Sequence, residues 1–314
     1  MQEQHSPKPI LIIGPNPAHD LTFQVQALTP GANHLLRPLA SEYAGKAWNA
    51  ALLAARLGLE VTYLSFNFRS LIEIPHEKGL TADLVAAEEA LRQNWKIRDS
   101  SGAVTELNQQ GGPVSEAERS ALLARHQQLM EGVSSVLWCG SLPQGFQPED
   151  LAAMVRTSGE ARLDIMLDVS GEALQHGLAA GARFIKPNLS ELSMIIGRRL
   201  TGLKEAKEEA LRLLEKHRHL QAVAVSAGTE GNLYVDREEA LFAPALDVPA
   251  RGVIGAGDSM MAGFAFARVH VLPPEEALRL AVACASASVQ LEGTAPASAK
   301  DARKLLDRVH VERV

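Results

Sequence analysis

Cysteine is nearly absent from this chain: two occur in 314 residues, Cys139 and Cys284, each in apolar surroundings. That excludes a disulfide framework or a cysteine-rich metal site and leaves two small buried residues. A surplus of positive charge is also missing. With 31 Lys and Arg against 37 Asp and Glu, the net charge is −6 and no long basic run occurs, which argues against a nucleic-acid surface. Any anionic ligand must therefore be held by a few local cations. No apolar run is long enough to span a bilayer, and the opening MQEQHSPKP lacks the charged-then-apolar pattern of a secretory signal. The expectation is a cytoplasmic protein with no membrane partner. Internal repeats, low-complexity tracts and flexible linkers are absent as well. So are two phosphate-binding signatures. Without G-x-x-x-x-G-K-[ST] the chain is no P-loop enzyme. No G-x-G-x-x-G follows the first strand, and GAGDSM carries Met260 where a third glycine would stand, which weighs against a nicotinamide-dependent oxidoreductase.

What is present is an ordinary globular composition, 46% hydrophobic and 22% charged, with length enough for a sizeable core. A short apolar strand at 10–14 ends in the turn-rich PNPAHD, leaving Asp20 at its exit. LTFQVQ and HLLRPLASEY suggest a small hairpin. AWNAALLAARLG reads as a helix stopped by Gly58, and VTYLSF as a second core strand. NWKIRD and AVTELNQ form another hairpin turned by Ser100, Ser101 and Gly102, with too few large apolar residues for a central sheet. Helices at 115–130, 148–158, 172–179 and 204–217 then alternate with the strands VSSVLWCG, RLDIMLDVS, ARFIKPN and QAVAVSAG, and two last helices follow GAGD and Pro274. This alternation predicts a mostly parallel sheet covered on both faces, in one domain over 1–314 with an inserted β element near 21–43 and 91–110.

In such sheets ligands bind at the C-terminal strand ends. Gly255, Gly257 and Asp258 open the apolar run after VIGAGD. A helix start exposes unpaired N–H groups and partial positive charge, and glycines let a ligand approach, so an anion nest with its own carboxylate is one reading. The other is an ordinary helix start with a favourable first-turn acid. Asn188 and Glu191 stand three apart in KPNLSE. They suit a capping box, or a nucleotide's phosphates and a hydrated Mg²⁺. SAGTEG is either a tight turn or a backbone approach to phosphate. Lys46 at a helix start hints at an anionic ligand.

Taken in order, these turns resemble the ribokinase-like sugar kinases of the phosphofructokinase B family, closest to the 1-phosphofructokinase and tagatose-6-phosphate kinase branch. GVIGAGDSMMAGFAFA is similar to the family's anion-hole helix. GSLPQGF, LDVSGEAL, FIKPNLSEL, VSAGTEG and LEGT match further blocks, and ALRQNWKIRD with TELNQQG resembles its lid strands. The resemblance implies a three-layer α/β/α fold with a small β lid, and ATP-dependent phosphorylation of fructose-1-phosphate, tagatose-6-phosphate or fructose-6-phosphate to a bisphosphate. It implies Asp258 as catalytic base, with the N–H groups of Gly255, Ala256 and Gly257 receiving the transferred charge. Asn188 and Glu191 would serve the Mg²⁺–ATP phosphates with Lys186 nearby, and Ser226, Gly228 and Gly231 would line the nucleotide side. Asp20, Gly45 and Asn49 would hold the sugar. Lys46, Arg92 and Ser141 would hold its phosphate, Arg92 through a planar fork. Lids of this family often pair between subunits, so a homodimer is expected.

Two departures bear on the sugar pocket. The branch reads GGKG where this chain has Ala44-Gly45-Lys46-Ala47, followed by Trp48, which suits packing. Where the family has a glycine-rich turn, this chain has FNFRSLIEIPHEKG at 66–79, with Arg69 reading as a solvated charge. A non-catalytic sensor of sugar phosphate or nucleotide, or a kinase of a different sugar, is the competing reading.

Overall fold

The computed structural model describes residues 9–70, 72–252, 254–291 and 293–314. The opening stretch inspected for a signal pattern lies, up to residue 8, outside them, as do Leu71, Val253 and Glu292 of the quoted segments.

Strand β1 (Ile10–Ile13) is buried along its whole length. The chain then enters a hairpin, β2 (Ala18–Gln24) and β3 (Arg37–Ala44), and returns through helix α1 (Lys46–Leu57). Gly58 ends α1 in the left-handed conformation at φ 111°, its N–H reaching the Ala55 carbonyl at 2.9 Å. Two long strands follow, β4 (Val61–Arg69) and β5 (Leu80–Ala90), then the second hairpin, β6 (Gln93–Arg98) and β7 (Val104–Asn108). Helix α2 (Glu116–Leu129) starts on a Ser115–Glu118 capping box. Regular alternation continues through β8 (Ser135–Cys139), α3 (Pro148–Glu160), β9 (Asp164–Asp168), α4 (Gly171–Ala180), β10 (Phe184–Ile185), α5 (Leu189–Ile196), α6 (Leu203–Lys216) and β11 (Ala222–Ser226). The C-terminal part adds β12 (Asn232–Asp236), β13 (Ala240–Ala243), α7 (Ala256–Val269), α8 (Pro274–Ser288), α9 (Ala299–Arg303) and β14 (Glu312–Arg313).

Ten strands form the central sheet in the order β14-β13-β12-β11-β10-β9-β8-β1-β4-β5, parallel from β11 to β5 and antiparallel beyond. Helices α1, α7, α8 and α9 pack together as one layer and α2 to α6 as the other, so the fold is the expected three-layer α/β/α sandwich. Both cysteines are buried and unpaired. Among the described residues no helix is long and apolar enough to cross a membrane.

The two hairpins join edge to edge as a separate four-stranded sheet, β3-β2-β6-β7. Alternation along β2 and β6 gives this lid two faces. Leu21, Phe23 and Trp95 point one way, with the Phe23 and Trp95 rings 5.7 Å apart. Asp20, Thr22, Asn94 and Lys96 point the other way.

The sequence reading missed β5, the β12–β13 hairpin, β14 and α9. Strand β5 is an edge strand, exposed over most of its length, so it shows neither a buried run nor clean alternation. β4 runs three residues further than expected because β5 pairs with it almost to its end.

Gly231 also differs from expectation. Its φ is +112°, and a Cβ there would meet the Ala243 carbonyl oxygen at 2.8 Å and the Phe242 ring at 2.5 Å. Close approach of β13 explains this glycine, not a ligand. Gly231→Ala should lower stability by about 2–4 kcal/mol in urea denaturation, through forbidden φ plus overpacking. Gly228→Ala, at φ +58° with open space around it, should cost only about 1 kcal/mol. Equal losses would contradict the packing account.

Candidate active site

The strand order reverses at β1, whose neighbours are β8 on one side and β4 on the other. Chain exits diverge at such a switch point and leave a crevice. A cavity of about 170 Å³ opens there, lined by Gly14, Asn16 and Pro17 after β1, Cys139 to Ser141 after β8, Gly45 to Ala47 at the start of α1, and Arg92 from the lid.

Gly45 has φ 126°, so the glycine retained in the Ala44-Gly45-Lys46-Ala47 stretch is the one whose backbone requires it. Neither Ala44 nor Ala47 has positive φ. Trp48 is buried between the rings of Tyr43 and Tyr63, at 5.1 and 5.3 Å, and serves the core as expected. Asn16 donates to the Ser141 hydroxyl at 2.9 Å across the mouth of the crevice. The Arg92 guanidinium donates to the carbonyls of Pro17, Asn16 and Gln109 and to Asn94 Oδ1 at 3.1–3.3 Å. Of its five N–H groups, those bonds leave one, so its fork mainly anchors the lid to the β1 turn.

Asp258 lies in the first turn of α7, buried, after Gly255 at φ 80°. Asn49, one turn into α1, donates to its Oδ2 at 2.9 Å. A Cβ on Gly257 would lie 3.5 Å from Lys186 Nζ, so the lysine ammonium sits against the helix end. The positive helix terminus should lower the pKa of this carboxyl. The outcome is the opposite: burial pushes it up to about 6, the charge of Asp168 adds to that, and Lys46, Asn49 and Lys186 only moderate it.

Asp168 was not singled out from the sequence, although it stands inside the LDVSGEAL block. It ends β9, is 2% exposed, and its Oδ1 lies 3.5 Å from Lys186 Nζ and 3.8 Å from Lys46 Nζ. Its Oδ2 is buried with no hydrogen-bond partner. An acidic residue closing an apolar parallel strand was the signal available. Lys46 lines the small cavity and its ammonium reaches this cluster, 3.8 Å from Glu191 Oε1 as well, and Asp168 holds it above the usual lysine range.

Asn188 and Glu191 form the reciprocal capping box of α5, at 2.8 and 2.9 Å. The box uses Glu191 Oε2, and Oε1 is the oxygen that faces Lys46. Among the described residues no group of three His, Cys, Asp or Glu side chains is arranged as a metal site.

A second cavity of about 550 Å³ adjoins the α7 terminus, lined by Ser226, Gly228 and Thr229, by Ala245 to Val248, and by Ala256, Gly257 and Met260. Gly231 is not in its lining. Asp20 stands apart from both cavities: its Oδ2 accepts from Lys96 Nζ at 2.5 Å and its Oδ1 from Asn94 at 2.8 Å. The glycine-lined helix end thus borders the larger, mainly apolar cavity, whereas the small polar crevice is bordered by the start of α1.

The profile described as "pfkB family carbohydrate kinase" matches residues 17–301. A 1-phosphofructokinase of Vibrio cholerae is 30% identical over 97% of this chain and 96% of its own length. A 1-phosphofructokinase of Haloferax volcanii is 33% identical over 96% and 97%. Phosphofructokinase-2 of Escherichia coli, solved in complex with fructose-6-phosphate, superposes with a TM-score of 0.88 at 25% identity, covering 96% of this chain and 99% of that one.

The Asp258 environment has a measurable consequence. Its folded-state value of about 6 exceeds the 3.8 of a free aspartate. Between about pH 4 and 6 the native state therefore holds a proton that the unfolded chain has released, and stability falls as pH rises through that window. Asp258→Asn should be more stable than the wild type at pH 7.5, by on the order of 2 kcal/mol, with the gap closing toward pH 4. Thermal unfolding across pH reads this directly. Parallel curves for the two proteins would mean that the carboxylate is not held against its burial.

Proposed function

This chain belongs to the pfkB family of carbohydrate kinases, and we propose that it transfers the γ-phosphoryl group of ATP to a hydroxyl of a phosphorylated ketohexose, giving a bisphosphate. The observation that carries the reading is Asp258: a buried carboxylate with a raised affinity for protons, at a glycine-flanked helix start whose Ala256 and Gly257 line the larger cavity, and bonded to Asn49 of α1, the helix whose first residues line the smaller one. The names of the relatives favour fructose-1-phosphate as the acceptor, and tagatose-6-phosphate and fructose-6-phosphate keep the same chemistry. A sensor would have no use for a base tuned in this way.

In this reading the adenine side of ATP takes the larger cavity, with Ser226 and Gly228 on its wall, and the sugar's phosphate takes the small crevice beside Ser141, Gly45 and the free N–H of Arg92. Asp258 accepts the proton of the attacking hydroxyl, and Asn49 holds the carboxylate in line. The N–H groups of Gly255, Ala256 and Gly257 receive the charge that gathers on the phosphoryl oxygens in a loose transition state. Lys186 and Lys46 add fixed positive charge on that side. The unpartnered Asp168 Oδ2 and Glu191 Oε1 suit a hydrated Mg²⁺, with Asn188 at the same helix start, and the ion would neutralise phosphate charge there. Closure of the lid excludes water. Its outward face exposes Leu39, Trp95 and Leu107, which supports a homodimer formed through the lids. ATP as donor supports a cytoplasmic setting.

A coupled ADP-release assay over a panel of ketohexose phosphates tests the reaction. Asp258→Asn should lower kcat by orders of magnitude with ATP binding nearly unchanged, and normal turnover would remove Asp258 from the chemistry. In the wild type, kcat/KM should fall about tenfold per pH unit below about pH 6 as the base is protonated. Because the charge of Asp168 raises that value, Asp168→Asn should move the acid limb to lower pH. A limb that stays in position, or moves upward, would contradict the coupling.

A further inference from the structure

The body-facing side of the lid carries a polar ladder of which the reaction above uses only Arg92. Along β6 the residues Asn94, Lys96 and Arg98 alternate onto one face, and Arg92, one residue before the strand, continues that alternation. Both ends of that row touch the body: Arg92 donates to the β1 turn, and Arg98 donates to the Arg251 carbonyl at 3.5 Å, in the loop leading to α7. On β3, the strand beyond β2, Glu42 accepts from the N–H and hydroxyl of Thr294 at 3.3 and 3.2 Å. Thr294 in turn packs its carbonyl 3.2 Å from where a Cβ of Gly255 would stand. Lys96 therefore lies between the small crevice and the anion-binding helix end, facing the body.

Its surroundings are unusual for a lysine. The residue is 96% buried, and among the described residues its ammonium makes one hydrogen bond, to Asp20 Oδ2. Two of its three donors are left over. Beside it the hydroxyl of Thr22, its register partner on β2, is buried without a partner. A buried ion pair repays its desolvation only when its remaining donors and acceptors are satisfied. As a purely structural link between two lid strands this pair is poorly built. As one wall of a polar ligand site it is incomplete in the way a ligand would complete.

Resting on the kinase reading, we propose that Lys96 is a substrate-contacting, specificity-determining residue: its free N–H groups donate to secondary hydroxyls of the phosphosugar whose protons Asp20 accepts. A carboxylate alone accepts and an ammonium alone donates, so the pair together recognises a hydroxyl in both of its roles. The same ammonium fixes the Asp20 carboxylate, with Asn94 on its second oxygen. Such a site discriminates strongly against an analogue lacking the hydroxyl, because the buried groups are then left unpaired.

Lys96→Met keeps the bulk of the side chain and removes the donors. It should raise KM for the phosphosugar roughly 10- to 100-fold while KM for ATP stays within about twofold. The wild type should discriminate against one monodeoxy analogue of its substrate, and Lys96→Met should lose most of that discrimination. An unchanged sugar KM, equal losses for sugar and ATP, or undiminished discrimination would each overturn the inference. If Lys96→Met does not fold, the wild type crystallised with its phosphosugar decides the matter. A sugar oxygen within about 3.5 Å of Lys96 Nζ supports the contact, and an ammonium still bonded to Asp20 alone overturns it. The wild type assayed in parallel separates the two failures. No turnover of any phosphosugar by the wild type would count against the kinase reading itself, whereas wild-type turnover with an unaltered variant counts against Lys96 alone.

Discussion

A carboxylate that stays ionised at neutral pH although it is shut away from water is the constraint around which the centre of this molecule is built. Asp258 sits at the first turn of α7, where unpaired N–H groups favour negative charge, but removal from water works against it, and so does Asp168 nearby. The opposing effects leave a group that binds a proton more readily than a free aspartate while remaining ionised at neutral pH. Lys46 and Lys186 face Asp168, and so screen the repulsion at its source. Three acids, Asp258, Asp168 and Glu191, stand against these two ammoniums, and the helix end supplies the remaining partial positive charge.

The architecture supplies the meeting point. Because β1 pairs with both β4 and β8, the turns after β1 and β8 separate and admit the start of α1 between them. That close approach depends on Gly14, against which the Ala47 methyl packs. The two residues are complementary: the methyl of Ala47 at the helix start occupies the space that Gly14 leaves at the strand exit. Trp48 fills the layer below, in contact with two tyrosines. Methyl groups and an aromatic that look intrusive in the motif are thus absorbed by the core, and the backbone conformation that needs glycine is confined to Gly45.

What could be read in advance follows from how local each signal is. The helix limits stood out because capping is written within four residues, as in Ser115–Glu118 and Gly58. The parallel core stood out because β1 is apolar throughout and β8 is apolar after Ser135. The lid was visible as two hairpins poor in large apolar residues. Edge strands were not visible, since β5 is largely solvated and β14 has two residues. Site residues inside glycine-rich turns were legible through their motif, whereas Asp168 and Lys96 each acquire meaning only from partners brought by other elements. Gly231 shows the reverse case, a motif glycine whose requirement arises from Phe242 and Ala243 on the next strand but one of the chain fold. Arg92 looked like a free fork until the carbonyls of the β1 turn occupied it.

The distribution of polarity on the lid decides how it can move. Besides the packing of Tyr43, at the end of β3, on Trp48, its contacts with the body include hydrogen bonds from Arg92 and Arg98 and those that Glu42 accepts from Thr294, each of which exchanges with water at a net cost of about 1 kcal/mol. Its exposed apolar side chains, Leu39, Trp95 and Leu107, lie on the outward face and are not uncovered when it opens. Opening that leaves the Tyr43–Trp48 contact in place therefore exposes little hydrophobic surface, and the lid can swing about that end without unfolding. The element that resists is the buried Asp20–Lys96 pair, which gains water on opening and loses it on closing. A closed lid is thus favoured in proportion to how well its contents satisfy that pair, so closure reads the polarity of what has been enclosed.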